Sequence, residues 1–205
     1  MNKDIVLIGF SGHATSAIDI FKSRERRVIG YCDAHKKKDL FSLKYLGSEK
    51  DTETLKVLTD YDYFITVGDN AVRRKIQNEL TKKVKSPINA IHATSYMAES
   101  ATLGLGCFIG AKCFVNSMSH IGDGVICNSG SIIEHECVIG NYAHIAPGAV
   151  LAGSVHIGDG TFIGGGSFVK QGISIGDNVI VGAGCIVIKD LPNNSKVVGN
   201  PARYI

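Results

Sequence analysis

A step of six residues from Ile91 lands on an aliphatic residue, Met or Cys every time. The landing points are Met97, Leu103, Ile109, Val115, Ile121, Cys127, Ile133, Ile139, Ile145, Leu151, Ile157, Ile163, Val169, Ile175, Val181 and Val187. If about 40% of residues are of this type, chance yields such a run roughly once in five million trials. The position four places on is nearly always small, as at Ser95, Ala101, Cys107, Cys113, Ser119, Ser131, Cys137, Ala143, Ala149, Thr161, Ser167 and Cys185. The place just after the bulky residue is often Gly, as at Gly104, Gly110, Gly122, Gly140, Gly158, Gly164, Gly176 and Gly182. Each hexad thus reads as a two-sided inward step plus a bend that favours Gly. Three hexads close a triangular coil of about eighteen residues, and coils stack as parallel strands about 4.8 Å apart. The segment 91–190 therefore predicts a parallel β-helix of about five to six coils, without insertion.

That frame accounts for most of the cysteines. Cys107, Cys113, Cys137 and Cys185 fall in the small inward slot and Cys127 in a bulky one. They read as small hydrophobes, not as a disulfide framework, and no CxxC pair marks a zinc site. The 22 Lys+Arg and 19 Asp+Glu give a formal charge of +3. This is too small for a protein that binds nucleic acid mainly by neutralising phosphates. No apolar run reaches the roughly eighteen residues of a membrane span. Met1-Asn2-Lys3-Asp4 lacks a signal-peptide pattern, so a reducing, cytoplasmic location is expected.

Residues 1–85 follow a different rhythm. Asp4 to Gly9 is an apolar run ending in Gly, hence a buried strand. Phe10 to His13 is a turn, Ala14 to Ser23 a helix, Arg27 to Asp33 a second strand, and His35 to Asp39 a basic loop. Thr52 to Thr59 is a helix, Tyr63 to Val67 a third strand, and Asn70 to Lys83 a helix. Alternating strands and helices predict a small Rossmann-like α/β unit. The chain is expected to divide into residues 1–85 and 86–205, joined at Ser86 to Ala90.

Three constellations carry possible chemistry. Gly9-Phe10-Ser11-Gly12-His13 lies between strand and helix, where free N–H groups meet an anion. Asp33, ending the second strand, is placed for a nucleoside. Thr15 stands where a dinucleotide fingerprint needs its third Gly, which favours a mononucleotide or nucleotide sugar over NAD. The second is Glu134-His135-Glu136 with His144. One coil beyond His135 lies Gly153, so an imidazole should sit over a bare backbone amide. A base beside an oxyanion donor is what acyl transfer requires, and Glu136 would fix the imidazole tautomer. His120, His144 and His156 should face outward along flat strands. The third is the tail, Lys189-Asp-Leu-Pro192 and Val198-Gly-Asn-Pro-Ala-Arg203, and Lys170, Lys189, Lys196 and Arg203 are candidates for phosphates.

With these residues in view, the hexapeptide region resembles the left-handed β-helix acyltransferases. The whole chain, Gly9-x-Ser11-Gly12-His13 included, resembles the NeuD family of sialic-acid O-acetyltransferases. Ile133 to Gly140, followed by His144 and Gly153, is similar to its PglD-type members. Those N-acetylate the 4-amino group of a UDP-linked sugar on the way to bacillosamine. The resemblance implies a homotrimer with acetyl-CoA between adjacent prisms and a nucleotide sugar on the N-terminal domain, and no metal. It implies His135 as general base, Glu136 as its partner, and Gly153 N–H on the thioester carbonyl. It places His144 near the acetyl group from the neighbouring chain. Gly9, Ser11, Gly12, His13 and Asp33 would hold the nucleotide part; Ser167, Gly182 and Ala183 fall along pantetheine, and Arg203 in the basic ending. PglD-type chains often carry two consecutive Asp after the second strand, where this chain has Asp33-Ala34. O-acetylation of a surface glycan, a non-catalytic nucleotide-sugar scaffold, and a β-helix with a His-bound metal between subunits stay open as alternatives.

Overall fold

The computed structural model describes residues 3–38 and 41–205. Met1, Asn2 and Asp39, part of two sequence expectations, lie outside the described residues. The chain forms two compact units, Met1–Ala93 and Thr94–Ile205.

In the first unit, β1 (Ile5–Ile8) leads into α1 (Gly12–Ser23), β2 (Val28–Cys32), β3 (Lys44–Tyr45), α2 (Thr52–Asp60), β4 (Asp62–Ile65) and α3 (Asn70–Leu80). The strands form one parallel sheet in the order β3-β2-β1-β4. All four residues of β1 are buried, as a central parallel strand covered on both faces requires. β3 escaped the sequence reading because Lys44-Tyr45 is a two-residue edge strand with no period to detect. The helix α1 starts two residues earlier than expected, at Gly12, and Ser11 is its N-cap without a side-chain cap bond. The sheet's C-terminal edge therefore carries the Gly9–His13 loop, Asp33 and the Thr66–Asp69 loop together.

The second unit is a three-sided parallel β-helix. Its first face stacks Thr102–Leu103, His120–Ile121, Val138–Ile139, His156–Ile157 and Ser174–Ile175. The second runs from Phe108–Ile109 through Ile126–Cys127, His144–Ile145, Phe162–Ile163 and Ile180–Val181 to Lys196–Val198. Arg203–Tyr204 closes that sheet antiparallel. The third holds Tyr96–Met97, Phe114–Val115, Ile132–Ile133, Val150–Leu151, Phe168–Val169 and Ile186–Val187. Pairing joins residues one coil apart, as in Ile121↔Ile139 and Ile133↔Leu151. Each bulky position of the hexad is the second residue of its strand, and all from Ile109 to Val187 are buried. The small slots from Cys107 to Cys185 are buried too. All six cysteines are free and buried.

Two features go beyond packing. The Gly that follows a bulky hexad position, as at Gly104, Gly122, Gly140 and Gly164, does not serve a positive φ. At Gly140 a Cβ would stand 2.6 Å from Asp159 N on the next coil; close backbone approach, not turn conformation, excludes a side chain. The small slots also hold donors that satisfy corner carbonyls across coils. Cys107 Sγ donates to Gly122 O (3.0 Å), Ser119 Oγ to Glu134 O (2.8 Å) and Cys137 Sγ to Ala152 O (3.3 Å). Thr161 Oγ1 bonds Gly176 O (2.6 Å) and Ser167 Oγ bonds Gly182 O (2.8 Å). A buried carbonyl left unmatched costs about 1–3 kcal/mol, so a slot of this kind selects Ser, Thr or Cys and not merely a small volume.

Candidate active site

The corner between the third and first faces carries Glu134, His135, Glu136 and Cys137 on one coil. Ala152, Gly153, Ser154 and Val155 lie on the next. The backbone joins them: Ser154 N donates to His135 O at 2.8 Å. Glu136 and Ser154 occupy the same turn position, with φ of 59° and 58°. The imidazole of His135 lies over Gly153. A Cβ built on Gly153 would stand 2.4 Å from Cε1 and 2.5 Å from Nε2 of that ring. The expected juxtaposition of His135 and Gly153 is therefore present.

Around the ring, His135 Nδ1 is 3.2 Å from Glu136 Oε2. A carboxylate on Nδ1 holds the proton there and leaves Nε2 as the basic nitrogen. Ser154 Oγ donates to the same Glu136 oxygen at 3.1 Å. Sequence reasoning missed Ser154, although the eighteen-residue register places it directly beside Glu136. It also passed over Asn116, whose Nδ2 donates to Glu134 Oε2 at 2.7 Å. His135 is half exposed, as a base that meets a diffusing substrate must be. Gly153 is buried under it, and its N–H donates to no acceptor among the described residues. A covered donor without an acceptor is costly, and a ligand oxygen would relieve it.

His144 lies elsewhere in the chain, on the second face, half buried. Its Nε2 is 3.4 Å from Asn128 Nδ2 and its ring meets Phe162 edge to face at 5.1 Å. Gly182 and Ala183 form the corner between second and third faces, and Ala183 N–H is likewise unbonded among the described residues. Ser167 is not at the surface. Its hydroxyl donates to Gly182 O and accepts from Cys185 N inside the prism, and its backbone sits in the ladder. It braces the Gly182–Ala183 corner from behind. Arg203 is exposed on the last strand. The remaining corner is closed: Asp123, Asn141, Asp159, Asp177 and Asn193 each cap an outward N–H of the preceding coil at 2.7–2.9 Å.

In the first unit Gly9, with φ of 90°, turns the chain between β1 and α1. The Asp33 carboxylate ties the two loops together. Oδ2 accepts from Phe10 N at 2.9 Å, and Oδ1 faces Lys37 Nζ at 3.6 Å. Phe10 stacks on Tyr31 at 4.2 Å. Ser11 and Gly12 are exposed at the start of α1, and His13 is half buried in its first turn. Arg73, 1% exposed, bonds Val67 O, Gly68 O and Asn70 Oδ1. Burial, and secondarily the Arg73 charge, lower the His13 pKa from 6.5 to about 4. His13 is thus a neutral imidazole at pH 7. Below pH 6.5 the unfolded chain takes up this proton and the folded one does not, so stability falls until about pH 4. The full loss is on the order of 3 kcal/mol. Urea unfolding at pH 7 and pH 4.5 should show this slope flattened in His13→Gln.

Among the described residues, no group of three or more His, Cys, Asp or Glu is gathered to hold a metal. No helix there is long and apolar enough to cross a membrane.

Each unit matches a known family. Residues 4–80 match the PglD N-terminal domain. Residues 118–153 match the bacterial transferase hexapeptide and 154–189 the hexapeptide repeat of succinyl-transferase. A GDP-perosamine N-acetyltransferase of Escherichia coli O157:H7 is 33% identical over 96 residues, 46% of this chain and 43% of that protein. This chain therefore spans less than half the length of that curated relative. Perosamine N-acetyltransferase of Caulobacter crescentus, a His-to-Asn variant solved with CoA and GDP-perosamine, superposes with a TM-score of 0.93. It is 32% identical, and the match covers 98% of this chain and 96% of the other. The acetyltransferase domain of PglB from Neisseria gonorrhoeae, solved with acetyl coenzyme A, gives 0.93 at 28% identity with all of both chains covered. A PglD-type N-terminal unit, a left-handed hexapeptide β-helix and a full-length relative at 32% identity agree: this chain belongs to the NeuD/PglD family of sugar acetyltransferases.

Proposed function

We propose that the protein transfers the acetyl group of acetyl-CoA to an amino group of a nucleotide-linked sugar. The observation that carries this reading is the imidazole of His135 lying over the unbonded Gly153 amide, with Glu136 on its other nitrogen. A sugar ammonium is not nucleophilic. The ammonium first gives one proton to solvent, and His135 Nε2 takes a second from the nitrogen as the neutral amine attacks the thioester carbonyl. The carbonyl oxygen gains charge and accepts from Gly153 N–H. The C–S bond then breaks, and the CoA sulfur leaves with the proton returned through the imidazole. Removing such an oxyanion donor costs other enzymes about 3–4 kcal/mol. CoA is supported by the relatives solved with CoA or acetyl coenzyme A.

The acceptor is read as a 4-amino sugar held at the Gly9–His13 loop and Asp33. For its nucleotide, the sequence resemblance favours UDP, whereas the perosamine relatives carry GDP in their names. We place UDP first, with both nucleotides in the test.

A second copy completes the site in this reading. His144 belongs to another face from His135, so one prism cannot bring them together. The outward residues of the third face form an unbroken apolar column, Tyr96, Phe114, Ile132, Val150, Phe168 and Ile186. Tyr96 and Phe168 are 54% and 38% exposed; columns of this kind mark association surfaces. A homotrimer would cover them.

Thiol release from acetyl-CoA should require UDP- or GDP-4-amino sugars and not the matched 4-hydroxy sugars. The same preparation should sediment as a trimer. Thiol release with the hydroxy sugars alone would replace this reading by O-acetylation. None with any acceptor would leave a binding scaffold.

A further inference from the structure

We propose that Cys137, buried inside the prism, is a positioning residue that aims the Gly153 N–H at the reacting carbonyl. The inference rests on the acetyl-transfer reading above and adds a residue that touches neither substrate.

One peptide group decides the direction of this N–H. The carbonyl of Ala152 and the N–H of Gly153 belong to the same planar unit, and that bond is trans, so the two point in opposite directions. Cys137 is fully buried, and its Sγ donates to Ala152 O at 3.3 Å. The carbonyl is therefore held toward the interior. The Gly153 N–H is turned outward, to the side where the His135 ring lies. Burial raises the thiol pKa to about 11, so the sulfur keeps the proton it donates at neutral pH.

The same arrangement recurs, which separates packing from aiming. Ser167 holds Gly182 O, and the next amide, Ala183 N–H, is open. Cys107 and Thr161 hold Gly122 O and Gly176 O. There the next amides, of Asp123 and Asp177, are capped by Asn141 and Asn193. A slot donor at the capped corner braces a finished turn. At Cys137 it aims a donor that no other residue holds.

The test uses the slot's own precedents. Thr161 fills an equivalent slot with a donor, and Val125, Val155 and Val179 fill others without one. Cys137→Thr and Cys137→Val are nearly equal in volume and differ in the hydroxyl. The expected result is kcat within about threefold of the native enzyme for Thr and about 10- to 100-fold lower for Val. This lies below the 10²–10³ of outright donor removal. KM for acetyl-CoA should stay within about twofold in both, since the donor acts on the transition state. Cys107→Thr and Cys107→Val, at the capped corner, should leave kcat unchanged while lowering Tm as the Cys137 pair does. Should Cys137→Val not fold, Cys137→Ala takes its place, as Ala fills the slot at 143 and 149. Equal kcat for the Thr and donor-less variants overturns the inference while the native enzyme's turnover upholds the reading beneath it. An equal kcat loss in the Cys107 pair overturns it likewise. Absence of native turnover with every amino sugar overturns both.

Discussion

His135→Ala should lose about 10³-fold in kcat while binding acetyl-CoA as tightly as the native protein. General-base catalysis contributes about 10²–10⁴. The upper half of that range applies because an amine enters as its ammonium ion and the site offers no second base in the same place. Glu136 is tied to His135 Nδ1 and Ser154, and Glu134 to Asn116. Truncation removes a half-exposed ring whose side-chain bond is to the exposed Glu136, so Tm should hold. Stopped assays of thiol release give kcat, and calorimetric titration gives the acetyl-CoA affinity. Turnover within tenfold of the native value would exclude His135 as the base. Weakened acetyl-CoA binding with unchanged kcat would make it a binding residue.

Gly153→Ala should be nearly as damaging, though it removes no functional group. Its methyl would stand 2.4 Å from His135 Cε1 and 2.5 Å from Nε2, far inside van der Waals contact. The backbone at Gly153 is locked between coils by the Gly172 N to Gly153 O and Ser154 N to His135 O bonds, so the ring is what moves. A shift of about 1 Å in a reacting group can cost 10²-fold, and about that loss in kcat is expected. The φ of Gly153 is not in the left-handed region, so Ala is compatible with the fold and Tm should change little. Thiol release and thermal melting on one preparation check both halves. Full activity would mean that the imidazole takes another position during turnover. Loss of the folded state would place Gly153 in the architecture and not in the site.

These two variants separate contributions that coincide in one place. His135→Ala removes the base and keeps the amide. Gly153→Ala keeps both groups and removes their alignment. Cys137→Val leaves base and glycine alone and lets the amide rotate. Three graded losses in kcat at constant acetyl-CoA KM are the signature of a site built from geometry between coils.

The β-helix was legible because its side chains obey a period that no other fold demands. An inward residue on each short strand must be apolar, so the register follows from counting, and counting alone placed Gly153 against His135. The first unit was legible in outline, since Ile5–Ile8 is apolar throughout and α2 and α3 start where expected, at Thr52 and Asn70. The strand Lys44–Tyr45 was not, being too short to carry an alternation.

What counting could not show were the directions of bonds. The hexad put Ser167 in a small inward slot and the resemblance put it along pantetheine, but neither showed that its hydroxyl donates to Gly182 O inside the prism. Cysteines read as small hydrophobes prove to be donors at corners. The glycines after the bulky hexad positions answer to the coil beyond, not to their own turn. A hexad specifies which side of the wall a residue occupies, because burial of apolar surface depends on side alone. Which atom of that residue meets which carbonyl depends on the offset between stacked coils and the tilt of each corner peptide. Those are set only when all three faces close, and they decide whether an amide beside a histidine is aimed at a substrate.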